Sequence, residues 1–301
     1  LLREKTLVGE ISALASALCW ALSNVLIKSQ TDRIDAVALN ILRSIGAAVF
    51  LVLIFIFSGK IGDLSRISLY PVMLLVGSSV VGLGLGDTLY FRSMGLIGVA
   101  RSFPITNVSV LFTAVIAYVF LKENLSWLII LGGVLIIAGV YLIAAPPRGK
   151  EEKGPGNPDP KVMAKGTGLV LGASACWAVS ITTVKVALES LSPLVANVIR
   201  LPVIILLLFM FYPSRIGMFK SRKYPLRSLA IVLGAGIVGI GLGGLLFLFS
   251  IQQAGAAKAS ILTSISPLFA TAISIAFLKE RINLRIGIGA LLSVVGVWFV
   301  V

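Results

Sequence analysis

Apolar residues run along this chain in stretches of 18 or more, broken by short polar segments, with none of the period-two alternation of a half-exposed strand. A stretch of that length crosses about 30 Å of hydrocarbon as a helix. The pattern predicts ten spans, near residues 8–28, 36–57, 70–91, 97–121, 126–145, 164–185, 193–213, 227–250, 255–278 and 283–301. Continuous apolarity speaks against a β-barrel, whose strands alternate between lipid and lumen. One long polar interruption, PPRGKEEKGPGNPDPK at 146–161, is too poor in apolar surface to fold by itself and reads as a linker. The chain therefore divides into a first unit (1–145), a linker (146–163) and a second unit (164–301), each unit with five spans.

The two units are copies. A shift of 157 residues pairs 9–144 with 166–301 without a gap, and 35 of those 136 positions are identical. Cys19-Trp20-Ala21 meets Cys176-Trp177-Ala178, Lys28 meets Lys185, Asn40 meets Asn197 and Arg43 meets Arg200. FLKE at 120–123 recurs at 277–280, and Gly132 and Gly139 meet Gly289 and Gly296. An odd number of spans per copy forces the second copy to enter from the opposite face. The expected fold is all-α and polytopic: ten transmembrane helices as two inverted five-helix repeats around a central cavity. That arrangement is typical of secondary transporters, with the solute site between the copies near the midplane.

Composition and charge sharpen this picture. Of 301 residues, 58% are hydrophobic and 13% charged, with mean hydropathy +1.04; soluble domains carry about 25% charged residues. The net charge of +14 would suggest nucleic acid in a soluble protein. Here the bases fall mostly between spans, where they meet headgroups and set topology, so no nucleic-acid partner is expected. Connections after spans 5, 7 and 9 hold 13 Lys or Arg, while those after spans 6 and 8 have only Lys185 and Lys258 near them. The positive-inside rule would then put the linker in the cytoplasm and both termini outside. With no histidine and two cysteines inside apolar runs (Cys19, Cys176), neither a disulfide framework nor a metal or haem cofactor is expected. The first apolar run belongs to the repeating pattern, so no separate cleavable signal is expected.

Polar groups inside the spans are the candidate chemistry. GLGLGDTLYF (82–91) becomes GIGLGGLLFL (239–248) in the second copy. G-x-G-x-G within an apolar run is not the G-x-G-x-x-G of a dinucleotide loop; small residues there let backbones approach or unwind beside a cavity. Asp87 faces Gly244 across the repeat, so packing does not demand it. An intramembrane carboxylate costs about 2.5–3.5 kcal/mol on insertion scales, and such acids usually face a pathway. Asp87 is the candidate for a proton or a solute ammonium, against the alternative of pairing with Arg92 or Arg43. Asn40-x-x-Arg43 and Asn197-x-x-Arg200 each lie on one helical face about 10 Å into spans 2 and 7, either anchoring the fold or binding an anionic group. Trp20, Trp177, Tyr90, Asn107, Ser109 and Ser266 are further candidates for the cavity wall. Glu10, matched by Thr167, is a second intramembrane acid. Pro104 and Pro267 are candidate helix bends. No Ser-His-Asp set, HExxH or G-x-S-x-G is present, and an enzyme is not expected.

Two five-helix copies, each with Cys-Trp early in its first helix, an Arg deep in its second and Leu-Lys-Glu before its fifth, resemble the EamA-type members of the drug/metabolite transporter superfamily. The resemblance covers the chain outside the linker. It implies ten helices around a cavity, movement of small metabolites (notably export of amino acids or related compounds, with exchange of sugar phosphates or nucleotide sugars in some relatives), and cytoplasmic termini, opposite to the charge count. The family's Y-x-x-x-A-L at the end of the third helix is met imperfectly by Tyr90 and Met94-Gly95-Leu96, and less well by Phe247 and Gln252-Gln253. The leading expectation is an alternating-access exporter of polar or amphipathic metabolites, with protons as a candidate coupling ion. The alternatives are a lipophilic-cation efflux pump, for which Glu10 is the nearest candidate acid, and a passive channel or non-transporting scaffold. Monomer and homodimer both stay open.

Overall fold

Each predicted span contains a helix in the computed structural model, which describes residues 2–30, 33–34, 36–59, 67–97, 105–144, 160–211, 224–266, 268–269, 272–273 and 284–300. In the first copy these are α1 (Leu2–Lys28), α2 (Ala36–Phe57), α3, α4 (Val108–Phe120) and α5 (Trp127–Ala144). The second copy comprises α6 (Pro160–Ala187), α7 (Pro193–Phe211), α8, α9 (Ala256–Thr263) and α10 (Leu284–Val300). Helices α3 and α8 are composite. Helix α3 is α-helical over Leu69–Ser78, π-helical over Ser79–Gly86 and α-helical again over Asp87–Ile97. Helix α8 repeats this over Leu226–Gly236, Ile237–Gly243 and Gly244–Ala254. Helix α6 starts at Pro160, ahead of the boundary read at 164, because proline suits a first helical position, where no N–H is needed. The expected bends at Pro104 and Pro267, the linker from 146 to 159 and FLKE at 277–280 lie outside the described residues.

Helices α1, α2, α3, α6 and α8 are each long and apolar enough to cross a membrane. Segments of 10–17 residues in α4, α5, α7 and α10 are also apolar. Large apolar side chains cover the outside, among them Phe57, Trp127 and Trp298, the last 79% exposed. Such a surface belongs in lipid. Inside, α1 and α6 bury alanines (Ala13, Ala17, Ala21; Ala173, Ala178, Ala187), small enough for close backbone approach.

The seam between α5 and α10 fixes how the copies are related. A Cβ added to Gly132 would meet Val300 Cγ2 at 2.6 Å beside the Gly296 carbonyl, and one added to Gly139 would strike the Gly289 carbonyl. Gly132 corresponds to Gly289, and Gly139 to Gly296. The two helices therefore meet in reverse order and run antiparallel: a helix and its own copy point in opposite directions. The repeats are inverted, as an odd span count requires. Elsewhere the copies exchange partners, with α1 and α2 packed on α8, and α6 and α7 packed on α3. Ser23 donates to the Ala235 carbonyl at 2.8 Å, and its copy Ser180 donates to the Ser78 carbonyl at 2.7 Å.

FLKE at 120–123 gains a role here. Lys122 adopts φ 54°, and Glu123 projects across the molecule to the start of α9. There its carboxylate accepts the Ala256 N–H at 2.7 Å and the Ala257 N–H at 3.0 Å, beside Gly255 at φ 93°. A carboxylate at a helix N-terminus satisfies orphan donors and complements the dipole. Glu123→Ala is expected to cost about 2 kcal/mol and lower the thermal midpoint, with Glu123→Gln losing roughly half as much.

Candidate functional site

A cavity of about 510 Å³ lies between the copies, lined from α1, α2, α3, α6, α7, α8, α9 and the start of α4. Its geometry begins with the glycines of α3 and α8. A π-helix closes its backbone hydrogen bonds over five residues instead of four, and such bulges accompany functional sites. At Gly86 an added Cβ would lie 3.0 Å from Trp177 Cδ1 and Nε1; at Gly243 it would lie 3.0 Å from Trp20 Cδ1 and 3.2 Å from its Nε1. The glycines thus seat each indole of one copy against the third helix of the other. Both indoles line the cavity. Against each packs an aromatic ring, Tyr90 with its centroid 5.4 Å from that of Trp177 and Phe247, itself in the cavity lining, 5.1 Å from Trp20.

Here the symmetry breaks. Trp177 donates its indole N–H to Asp87 Oδ1 at 2.8 Å, whereas the second copy has Gly244 at the matched position, with no carboxylate to offer. Arg43 donates from Nε to Asn40 Oδ1 at 2.8 Å and interacts electrostatically with Asp87. In the second copy, Arg200 Nε and Asn197 Nδ2 are both buried without a hydrogen-bond partner. Arg43, Arg200 and Asp87 all line the cavity, whose lining therefore carries one positive charge in excess.

Of the sequence candidates, Asp87, Trp20, Trp177, Asn40, Arg43, Asn197, Arg200, Asn107, Ser109 and Ser266 come together on this wall. Tyr90 stands behind it, against Trp177. Arg92 is exposed, so the base near Asp87 is Arg43. Glu10 lies apart from the cavity lining, 3% exposed, with Oε1 2.5 Å from Lys258 Nζ in an ion pair. Sequence reasoning missed Ser23, Ser180, Thr106, Thr263 and Ser260, which also line the cavity. The first four had a usable signal: Ser23 matches Ser180 and Thr106 matches Thr263 under the same 157-residue shift.

Alanine at Gly86 is expected to reduce transport more than alanine at Gly243. The same Cβ displaces an indole in each case, but only Trp177 leaves a buried carboxylate without its donor, a loss of about 1–3 kcal/mol. Initial rates in proteoliposomes would compare the two.

Inverted five-helix repeats around a polar, charged cavity define an integral-membrane transporter fold. The chain matches the EamA-like transporter family over residues 7–145 and 164–301, one match per copy, and belongs to that family, making it a transporter of the drug/metabolite transporter superfamily. It is 24% identical to an uncharacterized transporter of Archaeoglobus fulgidus over 95% of each chain. A second, from Methanothermobacter thermautotrophicus, is 23% identical over 98% of this chain and 86% of that one. The Bacillus subtilis transporter YoaV matches at 27% over 46% of this chain and 47% of its own length. A solved crystal structure superposes with TM-score 0.77 over 98% of this chain and 95% of the other at 16% identity, a likeness of fold.

Proposed function

We propose that the protein is a secondary active transporter that exports small polar or amphipathic metabolites, amino acids or related solutes, across the cytoplasmic membrane by alternating access. The observation that carries this reading is the cavity at the seam of two inverted copies, with charged and hydrogen-bonding groups drawn from both. Inverted repeats can exchange conformations, so that the site faces one side and then the other. The π-helical segments of α3 and α8 border the cavity at matched places and are natural points of bending. Asp87 is the coupling group, exchanging a proton or holding a solute ammonium.

Glu10, the acid on which the lipophilic-cation reading drew, is paired with Lys258 and lies apart from the cavity lining. Counterflow in proteoliposomes tests the proposal. Vesicles preloaded with unlabelled amino acid are expected to take up labelled solute transiently above equilibrium. Flux that only follows the gradient would mean a channel, and no flux with any solute would mean a scaffold.

A further inference from the structure

The repeat contains one carboxylate site that is filled by the protein and one that is not. We infer that the solute supplies the missing carboxylate, bound beside Gly244 by Arg200, Asn197 and the indole N–H of Trp20. This rests on reading the cavity as the solute site. In the first copy Asp87 occupies the corresponding place, accepting from Trp177 at 2.8 Å and facing Arg43, which is bonded to Asn40. In the second copy the donors remain while the acceptor is gone. Trp20 is seated against Gly243 as Trp177 is against Gly86, and Asn197 Oδ1 lies 4.0 Å from where a Cβ at Gly244 would be. Arg200 and Asn197 recur at the matched positions.

A buried guanidinium without an acceptor is costly, and in a membrane span it carries that cost unless something pairs with it. Among the described residues, eight buried polar side-chain atoms have no partner, and four belong to residues lining this cavity: Arg200 Nε, Asn197 Nδ2, Asn107 Nδ2 and Ser260 Oγ. Three are N–H donors and the fourth is a hydroxyl that can donate. Residues of this wall that carry unpartnered donors, together with one surplus positive charge, suit an acceptor-only anion. The planar, two-oxygen geometry of a carboxylate suits a guanidinium and an amide together. Such a group comes either from a simple organic acid or from an amino acid, whose ammonium would then find Asp87.

Four probes sharing one branched hydrocarbon separate these cases: 4-methylpentanoate, L-leucine, L-leucinamide and 3-methylbutylamine. Thermal stability of the purified full-length protein is measured with each, since a ligand that binds the folded state raises the midpoint. Both carboxylates are expected to stabilise the protein and the amide and amine are not. A larger effect of leucine than of 4-methylpentanoate assigns the amino-acid source; equal effects assign the carboxylate alone. Arg200→Gln is expected to weaken carboxylate binding at least about tenfold. Gly244→Asp, which restores the first copy's arrangement, is expected to abolish that binding and to raise the midpoint without ligand. Outside its own helix the nearest atom to the new Cβ is Asn197 Oδ1, 4.0 Å away, so the first added carbon is accommodated. Should Arg200→Gln fail to fold, Arg200→Lys and Gly244→Asp carry the comparison, the lysine variant keeping part of the carboxylate effect. The inference is overturned if neither carboxylate stabilises the wild type, if amide and acid act alike, or if carboxylate binding survives Gly244→Asp unchanged. Counterflow of a solute lacking any carboxylate would sink this inference and leave the transport reading standing; absence of all counterflow would remove both.

Discussion

Asparagine at position 87 is expected to abolish proton-driven accumulation, by more than about tenfold, while counterflow of a solute without an ammonium stays within a few-fold of wild type. The substitution separates charge from geometry. Asparagine Oδ1 still accepts the Trp177 indole N–H, which bonds to Asp87 at 2.8 Å, and Arg43 keeps its bond to Asn40. What disappears is a group able to take up and release a proton. The charged and titratable groups around it are Arg43 from α2 and Tyr90 on its own helix, with Trp177 contributed by α6. An imposed pH gradient should therefore drive solute into wild-type vesicles and leave the variant at equilibrium. Asp87→Ala goes further, since the orphaned indole N–H adds about 1–3 kcal/mol, and its counterflow should fall as well. Wild-type pH dependence in the asparagine variant would remove Asp87 from coupling.

Much of this architecture could be read before any coordinates, for a physical reason. Apolar spans are dictated by bilayer thickness, and an ungapped duplication with five spans per copy leaves inversion as the only continuous threading. The candidate cavity wall was legible for a related reason. A polar side chain in an apolar helix is costly, so Asp87, the Asn-x-x-Arg pairs and Asn107 stood out and fell on one cavity wall. Comparing the copies added the asymmetry of Asp87 and Gly244. What stayed hidden depends on distant partners. Glu10 reads as a lone intramembrane acid until Lys258, 248 residues away, is seen beside it. Glu123 looks like a surface turn residue, but its partners Ala256 and Ala257 lie 133 and 134 positions on. The π-helices were hidden differently: alternate glycines permit local rewinding without requiring it, and the approach of Trp20 and Trp177 explains those glycines only once the helices are packed. Ser23 and Ser180 are ordinary serines in sequence, and only the carbonyls of Ala235 and Ser78 give them a role.

Leucine at Gly132 is expected to lower the thermal midpoint by about 5–10 °C, whereas leucine at Gly168 should leave it nearly unchanged. At Gly132 the first added carbon would sit 2.5 Å from the Gly296 carbonyl oxygen, 2.6 Å from Val300 Cγ2 and 3.1 Å from Phe299 Cβ. A side-chain tip can turn aside, but a backbone carbonyl moves only with its helix, so α5 and α10 must separate. Little compensates for that separation. Lipid tails solvate apolar side chains as well as a neighbouring helix does, leaving van der Waals contact to hold the seam. Gly168 is exposed on α6 with nothing within 4 Å of the added carbon, so the new side chain enters lipid. Because neither Gly132 nor any residue of α10 lines the cavity, solute affinity of the folded fraction should be unchanged in both variants. Equal midpoints for the two leucines would refute the antiparallel glycine seam, and with it the direct geometric support for inverted copies.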